Sequence, residues 1–416
     1  MNPFKVQTKD LEEYYFDTAK MYPKAYDKTK TSPFTKTRII LLNGTEFESN
    51  WFLHQFARNC NNQELRQIIA KVRSQEQQQQ KRISALKPIN ENLLEETISY
   101  EQLAIELTAI LAQNVKDKNT KAALDFALLE DFDHLYRFSQ LLKTDFGIDA
   151  KTIVGEYTEI TPGRPTIAHH RHPIDNVRLP MDASKADVYT KLVASIITAA
   201  EQQTMNFYMN MAQMYKNDAG RKLFSEIAMV EEEHVTQYES LKDPSCSWLE
   251  QWVMHEYTEC YLYYSAMEDE TDDYIRSIWS EHFEMEVAHL KLATDCLLKY
   301  EQKQVKDVIS KPEFPKLLSF CSNISYVRKV LHTANITSVC EKYMDINELD
   351  NNARFFKYNS HFVCPAEKQP SHEVVKKQIS KNSKDYRFET QPSELEELRN
   401  RKQDNISLGR IKQTQQ

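Results

Sequence analysis

A glutamate, thirty residues later an acidic residue, and three residues after that a histidine: this spacing occurs three times in the 416-residue chain, and an altered copy precedes them. The complete copies are Glu101/Asp131/His134, Glu201/Glu231/His234 and Glu256/Glu286/His289, and the altered one is Glu46/Glu76/Gln79. Copies one and two begin 55 residues apart, as do copies three and four, and the first pair is displaced from the second by 155. Fixed internal spacing means a repeated structural unit. A glutamate about thirteen residues before a turn and an acid about fifteen after it come level when a helical hairpin closes, so each copy reads as one hairpin. The chain reads as a tandem duplication of a duplicated helical hairpin.

Composition agrees, because six glycines in 416 residues, among abundant Glu, Gln, Lys, Leu and Ala, leave little but helix. Amphipathic periodicity predicts helices over roughly 45–61, 63–86, 91–116, 119–143, 185–216, 221–242, 248–268 and 272–302, the first beginning after Gly44-Thr45. Ser247 with Glu250 forms a capping box, and Asp243-Pro244 stops the preceding helix. The segment 145–184 holds Gly147, Gly155 and Gly163 with four prolines and reads as a linker without regular structure. The expected layout is all-α: a polar N-terminal arm (1–36), a degenerate four-helix bundle (37–144), the linker (145–184), a second four-helix bundle (185–304) and a C-terminal extension (305–416). One helix is expected near 315–335, with a mobile polar tail.

A net charge of −8 offers no basic footprint for nucleic acid. The first fifteen residues carry charges where a signal peptide needs an apolar core, and no run of eighteen apolar residues occurs, so no membrane association and a cytoplasmic location are expected. Seven cysteines without a Cys-x-x-Cys pair argue against a disulfide framework, a structural zinc site or an attached rubredoxin-type module. Electrons for any redox reaction then come from an external electron-transfer protein.

Residues three apart share a helix face, so Glu231 with His234, and Glu286 with His289, each present an oxygen and a nitrogen to one ion. Two such hairpins face to face bring four carboxylates and two imidazoles to one level, and two divalent cations cancel their charge. The donor set suits iron or manganese. In the second half Glu201, Glu231, His234, Glu256, Glu286 and His289 are the expected ligands, with Glu259, one turn after Glu256, as a seventh. In the first half Gln79 replaces a histidine, and Glu46, Glu76, Glu101, Asp131 and His134 form a degenerate set whose simpler role is packing. Tyr208 and Tyr263 each lie seven residues after their own glutamate and face the site, as catalytic phenols or as core filling.

The series Glu201, Glu231-x-x-His234, Glu256-x-x-Glu259, Glu286-x-x-His289 resembles the ferritin-like superfamily, and rubrerythrins in particular. The resemblance covers 185–302 closely and 45–143 as a degraded copy. It implies a four-helix bundle with two irons, or manganese, per chain in the second bundle, reducing hydrogen peroxide or dioxygen. Only 25 residues separate Glu231 from Glu256, and Glu76 from Glu101, which is too short for that family's long crossover and fits an up-down-up-down bundle instead. The family's helix order would require hairpins exchanged between halves or between subunits of a homodimer. Two other function classes stay open. One is an oxygenase acting on a small organic substrate through an apolar channel lined by Met205, Phe207, Met209 and the stretch 261–264; the other is an iron-binding or scaffold protein without turnover.

Among the remaining features, His169, His170 and His172 read as a solvated loop cluster rather than ligands. His282, four residues before Glu286, reads as a core histidine, Cys260 as a small buried filler, and the run 77–80 as an exposed helix face. His361, Cys364 and His372 lack zinc spacing.

Overall fold

The computed structural model describes residues 1–164, 168–333, 336–362 and 368–382. These form α1 (Pro33–Asn59), α2 (Gln63–Ser84), α3 (Leu93–Asn114), α4 (Lys118–Phe146), α5 (Lys151–Val154), α6 (Val188–Met214), α7 (Asp218–Glu239), α8 (Trp248–Asp269), α9 (Asp273–Glu301), α10 (Val305–Val308), α11 (Ile324–Val330), α12 (Arg354–Phe362) and α13 (Pro370–Asn382). An antiparallel ribbon of β1 (Ile336–Val339) and β2 (Lys342–Asp345) is the only sheet among the described residues. The fold is all-α. No described helix is long and apolar enough to cross a membrane.

Local signals set the helix ends. The capping box of Ser247 and Glu250 opens α8 as expected, Asp117 caps α4 through the Thr120 amide, and Gly147 closes α4 in the left-handed region at φ 71°. One boundary differs. Gly44-Thr45 lies inside α1, which begins at Pro33 behind the Ser32 cap. The glycine serves packing instead: a Cβ at Gly44 would come within 3.1 Å of the Gln203 side chain, whose amide bonds Asn43 and the Ile40 carbonyl.

The chain divides into two compact units, and they do not follow its halves. Unit 1 comprises Met1–Asn92, Pro180–Gln203 and Lys242–Phe320; unit 2 comprises Leu93–Leu179, Thr204–Leu241 and Cys321–Gln416. The expected bundles over 37–144 and 185–304 are therefore not the packing units. In unit 1 the first and last hairpins meet: α1 packs on α2 and α8, and α2 and α8 both pack on α9. In unit 2, α3 packs on α4, and α4 packs on α7. Spacing fixes each hairpin because its helices are neighbours in sequence. Which hairpins pair is decided by side chains far apart in sequence. In unit 1 these include Arg38 with Asp269 and Glu270, and Arg82 with Glu281.

The remaining segments are more structured than expected. The N-terminal arm lies on unit 1, where Gln78 exchanges hydrogen bonds with the backbone of Phe16 and Gln75 donates to the Leu11 carbonyl. Segment 145–184 contains α5, and among its described residues Arg164, His169, His170 and Arg171 are buried inside unit 2. Among the described residues, the extension holds three α-helices and the ribbon beyond 320. Its α11 falls in the expected 315–335 window, and α13 packs on α4 and α7. The tail from 383 lies outside the described residues.

Candidate metal centres

In unit 1, α1, α2, α8 and α9 bring Glu46, Glu76, Glu256, Glu259, Glu286 and His289 together, all with almost no exposure. Ligand atoms of Glu76, Glu256, Glu286 and His289 lie within 4.8 Å of one another, and so do those of Glu46, Glu76 and Glu259. Glu76 belongs to both groups, so two ions would share its carboxylate. His289 Nδ1 faces Glu76 at 3.0 Å and Glu286 at 3.2 Å, while its Nε2 meets Gln75 Oε1 at 2.9 Å.

The hydrogen bonds of these carboxylates leave oxygens over. Tyr263 donates to Glu46, the Trp252 indole to Glu256, and the Gln79 amide to Glu286. Both oxygens of Glu259, with Oε2 of Glu46 and of Glu256, are buried without a hydrogen-bond partner. Burial and the charge of Glu76 hold Glu46 and Glu256 well above the usual carboxylate range, and the same causes raise Glu259. Glu286 is pushed up to about 7. Glu76 alone is lowered: burial is the largest single influence and raises it, but the charge and hydrogen bond of His289, a hydrogen bond with Glu46 and the charge of His255 together outweigh it. Burial and neighbouring carboxylates thus favour the neutral form of these acids wherever no positive charge stands beside them.

Unit 2 repeats the plan on α3, α4 and α7. Glu101, His134 and Glu231 form one group, and Asp131, Glu231 and His234 lie within the same 4.8 Å of one another. Glu231 is shared, as Glu76 is in unit 1. It faces both imidazoles, His134 Nδ1 and His234 Nδ1 each at 3.0 Å, and they draw it below the carboxylate range against the effect of burial. Tyr208 donates to Glu101 at 2.5 Å, the counterpart of the bond from Tyr263 to Glu46.

These placements correct the expected ligand sets. Glu231 and His234 fall in unit 2, and Glu256, Glu259, Glu286 and His289 in unit 1, where each set joins ligand groups of its own. Glu201 is buried. The degenerate set divides likewise: Glu46 and Glu76 complete the unit 1 cluster, whereas Glu101, Asp131 and His134 join Glu231 and His234. Gln79 is a bonded partner of Glu286. The phenols of Tyr208 and Tyr263 reach carboxylates, and His282 Nδ1 meets the Tyr263 hydroxyl at 3.1 Å. Cys260 is buried.

Two of the linker histidines are not solvated, since His169 and His170 are buried and His169 reaches His134, whereas His172 is half-buried. The run 77–80 is not simply exposed either: Gln79 is buried and Gln78 binds the arm. Of the side chains expected to line a channel, Phe207 stacks on Tyr100, Tyr261 donates to the Lys316 carbonyl and Tyr264 packs on Phe314. Cys364 lies outside the described residues.

Sequence reasoning missed Gln75 and Glu130, which bond Nε2 of His289 and of His234. Each stands immediately before the acidic residue of its copy, and the two are 55 residues apart, the offset of the repeat. Extending the comparison of copies by one position would have found them. Nothing in the spacing points to His169, Arg164 or Arg171.

No family model, no curated protein and no solved structure matches this chain. The buried groups of acids and histidines have a composition able to hold a metal ion.

Proposed function

We propose that the chain is a metal-dependent oxidoreductase of the di-iron carboxylate type, reducing hydrogen peroxide or dioxygen with electrons from an external donor. The observation that carries this reading is the charge of unit 1: five buried carboxylates surround one imidazole, and their bonds go to Tyr263, Trp252, Gln79 and His289 rather than to any lysine or arginine among the described residues. Burying so many acids without cations is costly. Two divalent ions would supply the missing positive charge and satisfy the unbonded oxygens of Glu259 and Glu46. An oxygen-rich set with one nitrogen and no thiolate suits iron, with manganese as the alternative.

Bound iron would supply one electron per ion, so a pair matches a two-electron reduction. The chain's own residues hold the site in shape: Trp252 orients Glu256, Gln75 orients His289, and Tyr263 donates to Glu46. Close packing keeps bulk water from these groups. The use of Phe207, Tyr261 and Tyr264 in packing weighs against an oxygenase with a substrate channel there. Iron-loaded protein with an artificial reductant should consume peroxide or dioxygen, and Glu286→Ala should abolish most of that consumption. Iron bound at full occupancy with no turnover of either oxidant would overturn the redox reading in favour of iron binding alone.

A further inference from the structure

The buried polar groups that the linker sends into unit 2 form a chain whose donors and acceptors can be assigned in order. His169 Nε2 lies 2.6 Å from the Arg164 carbonyl oxygen, which only accepts, so Nε2 of His169 carries a proton. With its Nε2 protonated, neutral His169 offers Nδ1 as an acceptor, 3.2 Å from His134 Nε2. His134 therefore donates from Nε2, and its Nδ1 faces Glu231. His234 reaches the same state by another partner: its Nε2 lies 2.9 Å from Glu130 Oε2, and its Nδ1 faces Glu231 and Asp131. Glu130 is kept as an acceptor by two guanidiniums, Arg164 at 2.7 Å and Arg171 at 2.6 Å.

Two imidazoles on different helices thus have Nε2 engaged outward and Nδ1 converging on one shared carboxylate. The backbone is built to deliver these partners. Gly163 presses the linker onto α4 so closely that a Cβ there would sit 2.2 Å from the Leu129 carbonyl oxygen, and the next amide, of Arg164, bonds that oxygen at 2.9 Å.

We propose that unit 2 holds a metal centre of its own, richer in imidazole than that of unit 1, and that His169 and Glu130 are the positioning residues that fix His134 and His234 as Nδ1 ligands to it. This rests on the reading above that the clusters bind metal. The ligand class is a divalent transition ion of borderline softness, taken by His134, His234, Glu231, Asp131 and Glu101. Arg164 and Arg171 hold the Glu130 charge in place, and outer partners of this kind typically contribute about 10–100-fold in metal affinity.

Cobalt(II) is a suitable probe, because its visible absorption reports coordination by nitrogen and carboxylate. In full-length Glu286→Ala protein, where the unit 1 centre is disabled, cobalt should still bind. Adding His169→Leu should weaken that binding by about 10–100-fold, whereas His169→Gln, whose amide oxygen can accept from His134, should restore most of it. Unchanged affinity in His169→Leu, with binding abolished by Glu231→Ala, would overturn the positioning role while leaving the centre intact. Glu286→Ala protein that takes up no cobalt, beside wild type that does, would overturn the unit 2 centre; wild type that takes up none would overturn the metal reading of both units. Should His169→Leu fail to fold, histidine ring nitrogen shifts in zinc-loaded wild type decide the matter. They should show a proton on Nε2 of His134, and a proton on Nδ1 instead would overturn the proposal.

Discussion

Gln75 Oε1 accepts from Nε2 of His289 at 2.9 Å, while the same amide donates through Nε2 to the Leu11 carbonyl of the N-terminal arm. One side chain therefore ties the arm to the histidine of unit 1 and leaves Nδ1 of that histidine facing the carboxylates. Replacing Gln75 with leucine keeps its approximate size and removes both bonds. Metal affinity of the unit 1 centre should fall by about 10–100-fold, with the unit 2 centre unaffected. Titration of Gln75→Leu in a Glu231→Ala background checks this, and equal affinity in both would show that Gln75 does not orient His289.

Tyr263 serves two buried partners, Glu46 and His282, whereas Tyr208 serves Glu101 and sits among Tyr100, Phe138 and Phe224. Tyr263→Phe leaves His282 without its partner and Glu46 short of a donor, a cost of about 1–3 kcal/mol in metal-free protein. Tyr208→Phe should cost less. Metal should narrow the deficit of Tyr263→Phe, because an ion satisfies Glu46. Thermal midpoints of both variants, with and without iron, give the comparison.

Chelation should lower stability. An ion that binds only the folded state adds about 2.7 kcal/mol when present at a hundred times its dissociation constant. Wild type should lose midpoint temperature on treatment with a chelator and regain it on reloading. The Glu231→Ala/Glu286→Ala double variant should be insensitive to both treatments.

Glu106, on α3, accepts from Thr158 and from the backbone and side chain of Asn323, yet burial pushes its carboxyl up to about 7. A carboxyl raised in the folded state binds more protons there than in the unfolded chain. Its contribution is complete below the unfolded value near 4.5 and is lost as pH rises through about 7. The loss is on the order of 3 kcal/mol at most. Between pH 5 and pH 8 wild type should lose more midpoint temperature than Glu106→Gln, which cannot titrate. Parallel pH profiles would contradict the assignment.

The repeat made the hairpins legible because each Glu, its acidic partner and its histidine are close in sequence and obey helical geometry. Nearly every ligand in both clusters carried that signal. The partnering of hairpins did not show, because it depends on contacts such as Arg38 with Glu270 and Gln79 with Glu286, between residues more than 200 positions apart. Gly44 misled the reading of α1 because a glycine needed for close packing looks, in sequence, like a break. Burial of His169 in the linker was hidden for a related reason: a segment rich in glycine and proline reads as surface, and only the close approach at Gly163 reveals that it presses inward.

Metal content per chain, measured by elemental analysis on wild type, Glu231→Ala, Glu286→Ala and the double variant, tests most directly whether copies one and four, and copies two and three, build separate centres. Glu286→Ala should lose the metal of unit 1 alone, Glu231→Ala that of unit 2 alone, and the double variant the sum of the two losses. Single variants that each lose the same metal, with the double variant no worse than either, would mean that Glu231 and Glu286 serve one centre and would contradict this account.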